Sequence, residues 1–140
     1  MAIGIRVGRV TTIGDNEAII LDSLNKAFKE NEIIIITGGL GPTHDDITKK
    51  VIAKFFNCGF RLDKEVYEHV KSILSRRSIP LKPVNEDQAS VPDICKVLFN
   101  KMGTAPGMHF EQNGKEIFVM PGVPFEMKSI MDTHILPYLQ

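Results

Sequence analysis

Residues 37–46, Thr-Gly-Gly-Leu-Gly-Pro-Thr-His-Asp-Asp, set three glycines ahead of two adjacent carboxylates. Gly38, Gly39 and Gly41 open backbone conformations closed to other residues and let main-chain N–H groups come close to an anion. A helix starting near Asp46 adds free N–H groups and the positive end of its dipole. Together these are phosphate-binding chemistry. A plain strand-to-helix turn accounts for the glycines on equal terms. Helix capping accounts for one of the acids and leaves the other. A carboxylate close to a phosphate repels it unless a divalent cation lies between them, and carboxylates suit Mg²⁺. The pair therefore predicts a ligand or metal role for Asp45, Asp46 or both.

The loop is not one of the common phosphate binders. No lysine stands where a Walker loop needs it, and Gly39-Leu40-Gly41 is followed after two residues by His44 instead of glycine. Two more glycine-proline turns follow apolar strands, at Gly103–Gly107 and Pro121–Met127. Gathered at one sheet edge, the three would form a pocket lined by backbone donors. Glu126 in the last turn either faces a ligand or complements the dipole of the helix it opens. His44, His69, His109 and His134 show no paired metal-ligand spacing, and there is no G-x-S-x-G nucleophile turn. Arg76 and Arg77 read as a solvated helix end, with steering of an anionic substrate as the other use.

The elements that must position these residues follow from periodicity. Ile3–Val10 alternates as a strand does, and a helix with Asp15 as its N-cap then carries Ile20, Leu24, Ala27 and Phe28 on one face. Glu32–Thr37, with four consecutive isoleucines, has the pattern of a strand buried on both faces of a parallel sheet. A second helix from Asp46 to Phe56 has Ile47, Val51 and Phe55 in step, with Gly59 as its C-terminal cap. A third starts after Asp63 and presents Val66, Val70, Ile73 and Leu74 before Pro80 and Pro83 interrupt it. Asn85–Ala89 suits one short turn. Strands follow between Cys95 and Val119, joined by Asn113-Gly114, the strongest short hairpin signal. Pro124 opens a last helix to about Met131. Strand, helix, buried strand and helix, with a later hairpin, predict an α/β sheet with helices on both faces. A doubly wound domain usually opens with a strand and helix central to the sheet, and here the chain starts in what resembles the second unit.

At 140 residues the chain is one domain by size, and 17 basic against 17 acidic residues give no field that draws nucleic acid or an anionic membrane. No apolar run approaches the roughly 20 residues of a membrane span, and Arg6 and Arg9 interrupt any signal-peptide core. Cys58 and Cys95 match no metal or redox spacing, which suits a reduced, cytoplasmic protein.

Taken together, "TGGLGPTHDDIT", "MGTAPGM" and "MPGVPFEM" resemble the molybdopterin-binding (MoCF) domain, most closely the amino-terminal domain of CinA, the competence/damage-inducible family. The upstream "GIRVGRVTTIGDNEAI" fits the same branch, and the similarity runs from about Gly4 to Leu139. The resemblance implies a three-layer α/β/α fold with a mostly parallel sheet and a β-hairpin. It implies a single domain over 1–140 and frequent homo-oligomers. It places a phosphate-bearing ligand on Thr37, Gly38, Gly39, Gly41 and Thr43, with Gly103, Thr104, Pro121, Gly122 and Glu126 beside it. In the molybdenum-cofactor branch two acids serve the active site, at positions matching Asp15 and Asp46. Asp45 replaces an arginine common there, which favours the CinA-like branch. Domains of that branch are metal-dependent ADP-ribose pyrophosphatases yielding AMP and ribose 5-phosphate, so the resemblance implies Asp15 and Asp46 as catalytic groups, with Asp45 and Asp46 holding Mg²⁺ or Co²⁺. The alternatives are a non-catalytic binding or assembly module and a molybdopterin-binding domain with a pterin phosphate as ligand. Family members begin with a strand, a turn and a helix that do not precede Met1, so the usual first β-α unit is expected to be missing. Whole CinA proteins commonly add a second, amide-hydrolysing domain.

Overall fold

The computed structural model describes residues 3–140. Helix α1 (Glu17–Glu30) is started by Asn16, whose Oδ1 accepts the Ile19 N–H at 3.1 Å. Asp15, expected as the cap, lies one residue too early for that reach. Ile20 and Leu24 are buried on the predicted face, with Ala27 and Phe28 packed beside them. The segment before it is not the expected strand: Ile3–Val10 has no ladder, and Val7 and Val10 are exposed. Alternation makes a strand only beside a hydrogen-bonding neighbour, and among the described residues this segment has none.

Strand β1 (Ile33–Thr37) leads to α2 (Thr48–Phe56), and β2 (Phe60–Leu62) to α3 (Lys64–Arg76). A short α4 (Pro83–Glu86) runs into a 3₁₀ turn, Asp87–Ala89, and then β3 (Ser90–Pro92). Strands β4 (Lys96–Leu98), β5 (Gly107–Gln112) and β6 (Lys115–Met120) follow. The chain ends in α5 (Pro124–Ile130), a π-helical turn over Met131–Ile135, and α6 (Leu136–Leu139), so the last helical segment runs past the expected Met131. Helix α2 begins two residues later than the spacing suggested and is closed by Asn57 in a left-handed conformation (φ 52°), not by Gly59. Asparagine tolerates that region, so the termination comes at the first residue able to adopt it. Helix α3 starts as read, with Asp63 Oδ1 accepting the Val66 N–H at 3.0 Å.

The main sheet has the order β1-β6-β5-β4, with β1 and β6 parallel and the other two pairs antiparallel. Asn113 and Gly114, both at positive φ, make the expected β5–β6 hairpin. It makes the sheet mixed. The three layers are present: α1 and α2 cover the face of Ile34, Met108, Phe110, Ile117 and Val119, and α5 to α6 cover Leu98, Phe118 and Met120. Strand β1 is not buried on both faces, because Ile35 is 45% exposed. Of β1, Ile33 packs against the cluster of Leu98, Phe118, Met120, Ile130 and Ile135 on that face. Strands β2 and β3 form a separate antiparallel pair that the sequence pattern did not announce.

On the face covered by α6, Glu116 accepts hydrogen bonds from Tyr138 and, at 3.2 Å, contacts His109, which stacks on Phe118. The Glu116 acceptor, with burial and its charge, pushes the Tyr138 phenol up to about 12. The fold favours the neutral phenol, so this contact is whole below the ordinary tyrosine value of about 10 and fades as pH rises through the shifted one. Titration by tyrosinate absorbance is expected to show one late tyrosine, and Glu116→Gln to bring it back toward the ordinary value. An unchanged late titration in that variant would remove Glu116 as the cause.

Candidate functional site

Strands β1 and β6 are parallel, so their carboxyl ends, Thr37 and Met120, lie together, and the loops leaving them meet. That end of an open α/β sheet is where ligands bind. The Gly38 N–H donates to the Met120 carbonyl at 2.9 Å, and a Cβ at Gly122 would sit 3.2 Å from the Gly38 Cα. The two turns touch backbone to backbone. Gly38 (φ +98°) and Gly39 (φ +71°) turn the chain into the left-handed region before the Thr48 N–H donates to the Gly39 carbonyl at 3.2 Å.

Asp46 shapes the far side of this loop. Its Oδ2 accepts the Thr43 N–H at 3.1 Å and the Thr43 hydroxyl at 2.7 Å, while its own N–H donates to the Thr43 carbonyl at 3.0 Å. Gly41 passes so close that a Cβ there would lie 2.6 Å from that same oxygen. Asp46 does not cap α2, because Ile47 holds the cap position and no side chain bonds to it. Capping thus explains neither acid. Asp45 points outward, exposed, with His44 Nε2 at 3.4 Å.

The three glycine-proline turns meet in one cleft of about 650 Å³. It is lined by Gly38–Gly41, Asp46, Arg77, Gly103, Thr104, Pro121, Gly122 and Glu126, with Gly103 packed so close to Glu126 that a Cβ there would lie 2.3 Å from its Oε1. A neighbouring recess of about 210 Å³ shares Gly39–Pro42 and Asp46 with the cleft and adds Thr43 and His44. Asp15, Thr37 and Asp45 line neither space. Among the described residues no three His, Cys, Asp or Glu side chains converge as a metal cluster.

Two buried amides that carried no signal in the sequence hold the cleft together. Gln88, only 4% exposed, donates to the Leu40 carbonyl at 3.2 Å and accepts the Thr104 hydroxyl at 3.0 Å. It ties the first turn to the second. Asn100 donates to the Ala105 carbonyl at 2.8 Å and to Glu126 Oε1 at 2.7 Å, and accepts the Met102 N–H at 3.0 Å. It ties the second turn to the third, and it gives Glu126 an acceptor's role besides its place at the start of α5. Truncating Gln88 leaves the carbonyl of buried Leu40 and the half-buried Thr104 hydroxyl without partners, which costs about 1–3 kcal/mol. Gln88→Ala is expected to lose that much in urea unfolding, and a loss within error of zero would show the bridge to be idle. Arg77, which has no carboxylate partner among the described residues, lines the cleft as the one guanidinium in its wall.

A family model described as "Probable molybdopterin binding domain" matches residues 1–140. The chain belongs to that family. It is similar to CinA-like proteins from Kosmotoga olearia, at 42% identity over 98% of this chain and 33% of the relative, and from Flavobacterium psychrophilum, at 41% over 98% and 33%. It spans about a third of the length of the curated relatives it matches. Among solved structures it is similar to the protein CinA of unknown function from Thermoplasma acidophilum, with a TM-score of 0.78 and 28% identity, over 90% of this chain and 73% of that one. In this molybdopterin-binding-type domain no helix among the described residues is long and apolar enough to cross a membrane.

Proposed function

We propose that the cleft binds a phosphate-bearing nucleotide and, with a divalent cation, hydrolyses ADP-ribose to AMP and ribose 5-phosphate. The observation that carries this reading is Asp46, held by Thr43 against a positive-φ glycine loop at the joined carboxyl ends of β1 and β6. The main-chain N–H groups of Gly39–Gly41 would donate to phosphate oxygens, and Arg77 in the lining of the same cleft would offset their charge. The donor set suits a cation of the Mg²⁺ type, which takes one or two carboxylates and fills its remaining sites with phosphate oxygens and water. Asp46 would hold it, with Glu126 as the second carboxylate in the cleft. Such a cation neutralises diphosphate charge and makes phosphorus more electrophilic. Asp45 faces His44 outside the cleft, and Asp15 lines neither space, so the proposed chemistry is built without either.

The reaction adds water across the diphosphate, breaking one P–O bond. The direct test is chromatography of ADP-ribose incubated with the chain, with and without Mg²⁺ or Co²⁺. Metal-dependent AMP supports the hydrolase. Binding without turnover is the second reading, since the glycine loop and Arg77 line the same cleft and could hold a phosphate without a cation. It takes over when ADP-ribose or a pterin phosphate binds and no AMP forms. Among the described residues β1 has no partner on its outer edge, and with Ile35 exposed beside it this also supports association of copies of this chain. Light scattering is expected to show an oligomer, and a monodisperse monomer would reject it.

A further inference from the structure

The cleft has an apolar wall that phosphate binding does not use. Met102, Val123 and Phe125 are 48%, 42% and 56% exposed, and all three line it. Of the strongly exposed aromatic side chains, Phe60, Phe125 and Tyr138, only Phe125 faces this cleft. Leaving an aromatic ring in water beside a cluster of backbone donors costs burial that a ligand can restore. Phe125 stands at the second residue of α5, next to Glu126, whose carboxylate is tied to Asn100 at 2.7 Å.

We propose that Phe125, flanked by Val123 and Met102, is the seat for a planar ring carried by the same ligand whose phosphates lie on the glycine loop. The proposal rests on the phosphate-ligand reading above and adds a specificity determinant to it. The cleft's lining combines the main chain of Gly38–Gly41, the positive charge of Arg77, and the apolar side chains of Met102, Val123 and Phe125 as a stacking face. A ligand that satisfies all three has a phosphate end and a flat heterocycle, which is the class of a nucleoside or pterin phosphate. Inorganic phosphate, pyrophosphate and sugar phosphates satisfy only the first two.

The chain contains no tryptophan, so Phe125→Trp introduces a single indole at the proposed seat. ADP-ribose is expected to quench its fluorescence saturably, and pyrophosphate to bind by calorimetry without that quench. Base–aromatic stacking contributes enough that Phe125→Ala should weaken ADP-ribose about 10-fold or more, while pyrophosphate affinity stays within about twofold. A half-exposed side chain leaves folding little changed, which thermal melting checks. Equal weakening of both ligands, or of neither, overturns the seat. So does a shift in oligomeric state with ADP-ribose affinity untouched, which would make the apolar wall a contact between copies. Pyrophosphate binding with no advantage for ADP-ribose rejects the seat and leaves the phosphate loop standing; failure of both to bind rejects the loop reading itself.

Discussion

Gly39→Ala is expected to lower stability by about 2–5 kcal/mol, more than any other glycine substitution in the loop. Two costs add. The first is conformational: at φ +71° an alanine pays about 1–2 kcal/mol for the left-handed region. The second is steric. A Cβ at Gly39 would lie 1.9 Å from Thr48 Oγ1 and 2.9 Å from Thr48 Cβ. Thr48 is buried at the first residue of α2, so it cannot swing away, and the helix start or the loop must shift. Overpacking of that kind costs about 1–3 kcal/mol. Gly38 separates the two terms. Its φ is +98°, yet an added Cβ meets nothing within 4 Å, so Gly38→Ala should pay for conformation alone. Urea unfolding of both variants reads the difference. Equal losses would show that Thr48 does not fix the loop. Thr48→Ala in the Gly39→Ala background should recover part of the loss, because the hydroxyl goes and the 2.9 Å Cβ contact stays.

This contact also marks where sequence reasoning stopped. That residues 38–41 form a tight turn was legible from the glycines, which are local signals. Why position 39 tolerates no side chain depends on a threonine nine residues on, after the helix has folded back over the loop. The same division runs through the fold. The Asn113-Gly114 hairpin and the helix start after Asp63 are local signals, and both lie where the sequence places them. The burial of β1 was misjudged because the isoleucine run says the strand is apolar, not what covers its second face. Strands β2 and β3 leave no pattern in the sequence because three residues are too few for a periodicity. Gln88 and Asn100 gave no signal, since an amide joining two loops is defined by its partners. The three glycine-proline turns meet because β6 pairs parallel with β1 and antiparallel with β5, which sets Thr37, Met120 and the start of β5 at one end of the sheet.

The adjacent acids should behave unlike each other, and Asp46→Asn is the informative change. An asparagine oxygen has two lone pairs, so it can accept both the Thr43 N–H and the Thr43 hydroxyl that Asp46 Oδ2 now accepts. The loop keeps its shape at a cost of about 1 kcal/mol, the difference between charged and neutral acceptors. The negative charge is lost, and with it the carboxylate proposed to hold the cation. Metal-dependent formation of AMP is then expected to fall on the order of 100-fold or more in kcat/KM. Asp46→Ala is the weaker test, because it also frees Thr43 and slackens the loop. Asp45→Asn should stay within about twofold, since an exposed carboxylate paired with His44 contributes little. Steady-state rates across a Mg²⁺ series, with thermal melts to confirm folding, decide between them. Equal losses at both positions would mean that Asp45 turns into the cleft when ligand binds. Full activity in Asp46→Asn would leave the cation without its carboxylate and move the chemistry to Glu126 or out of this cleft.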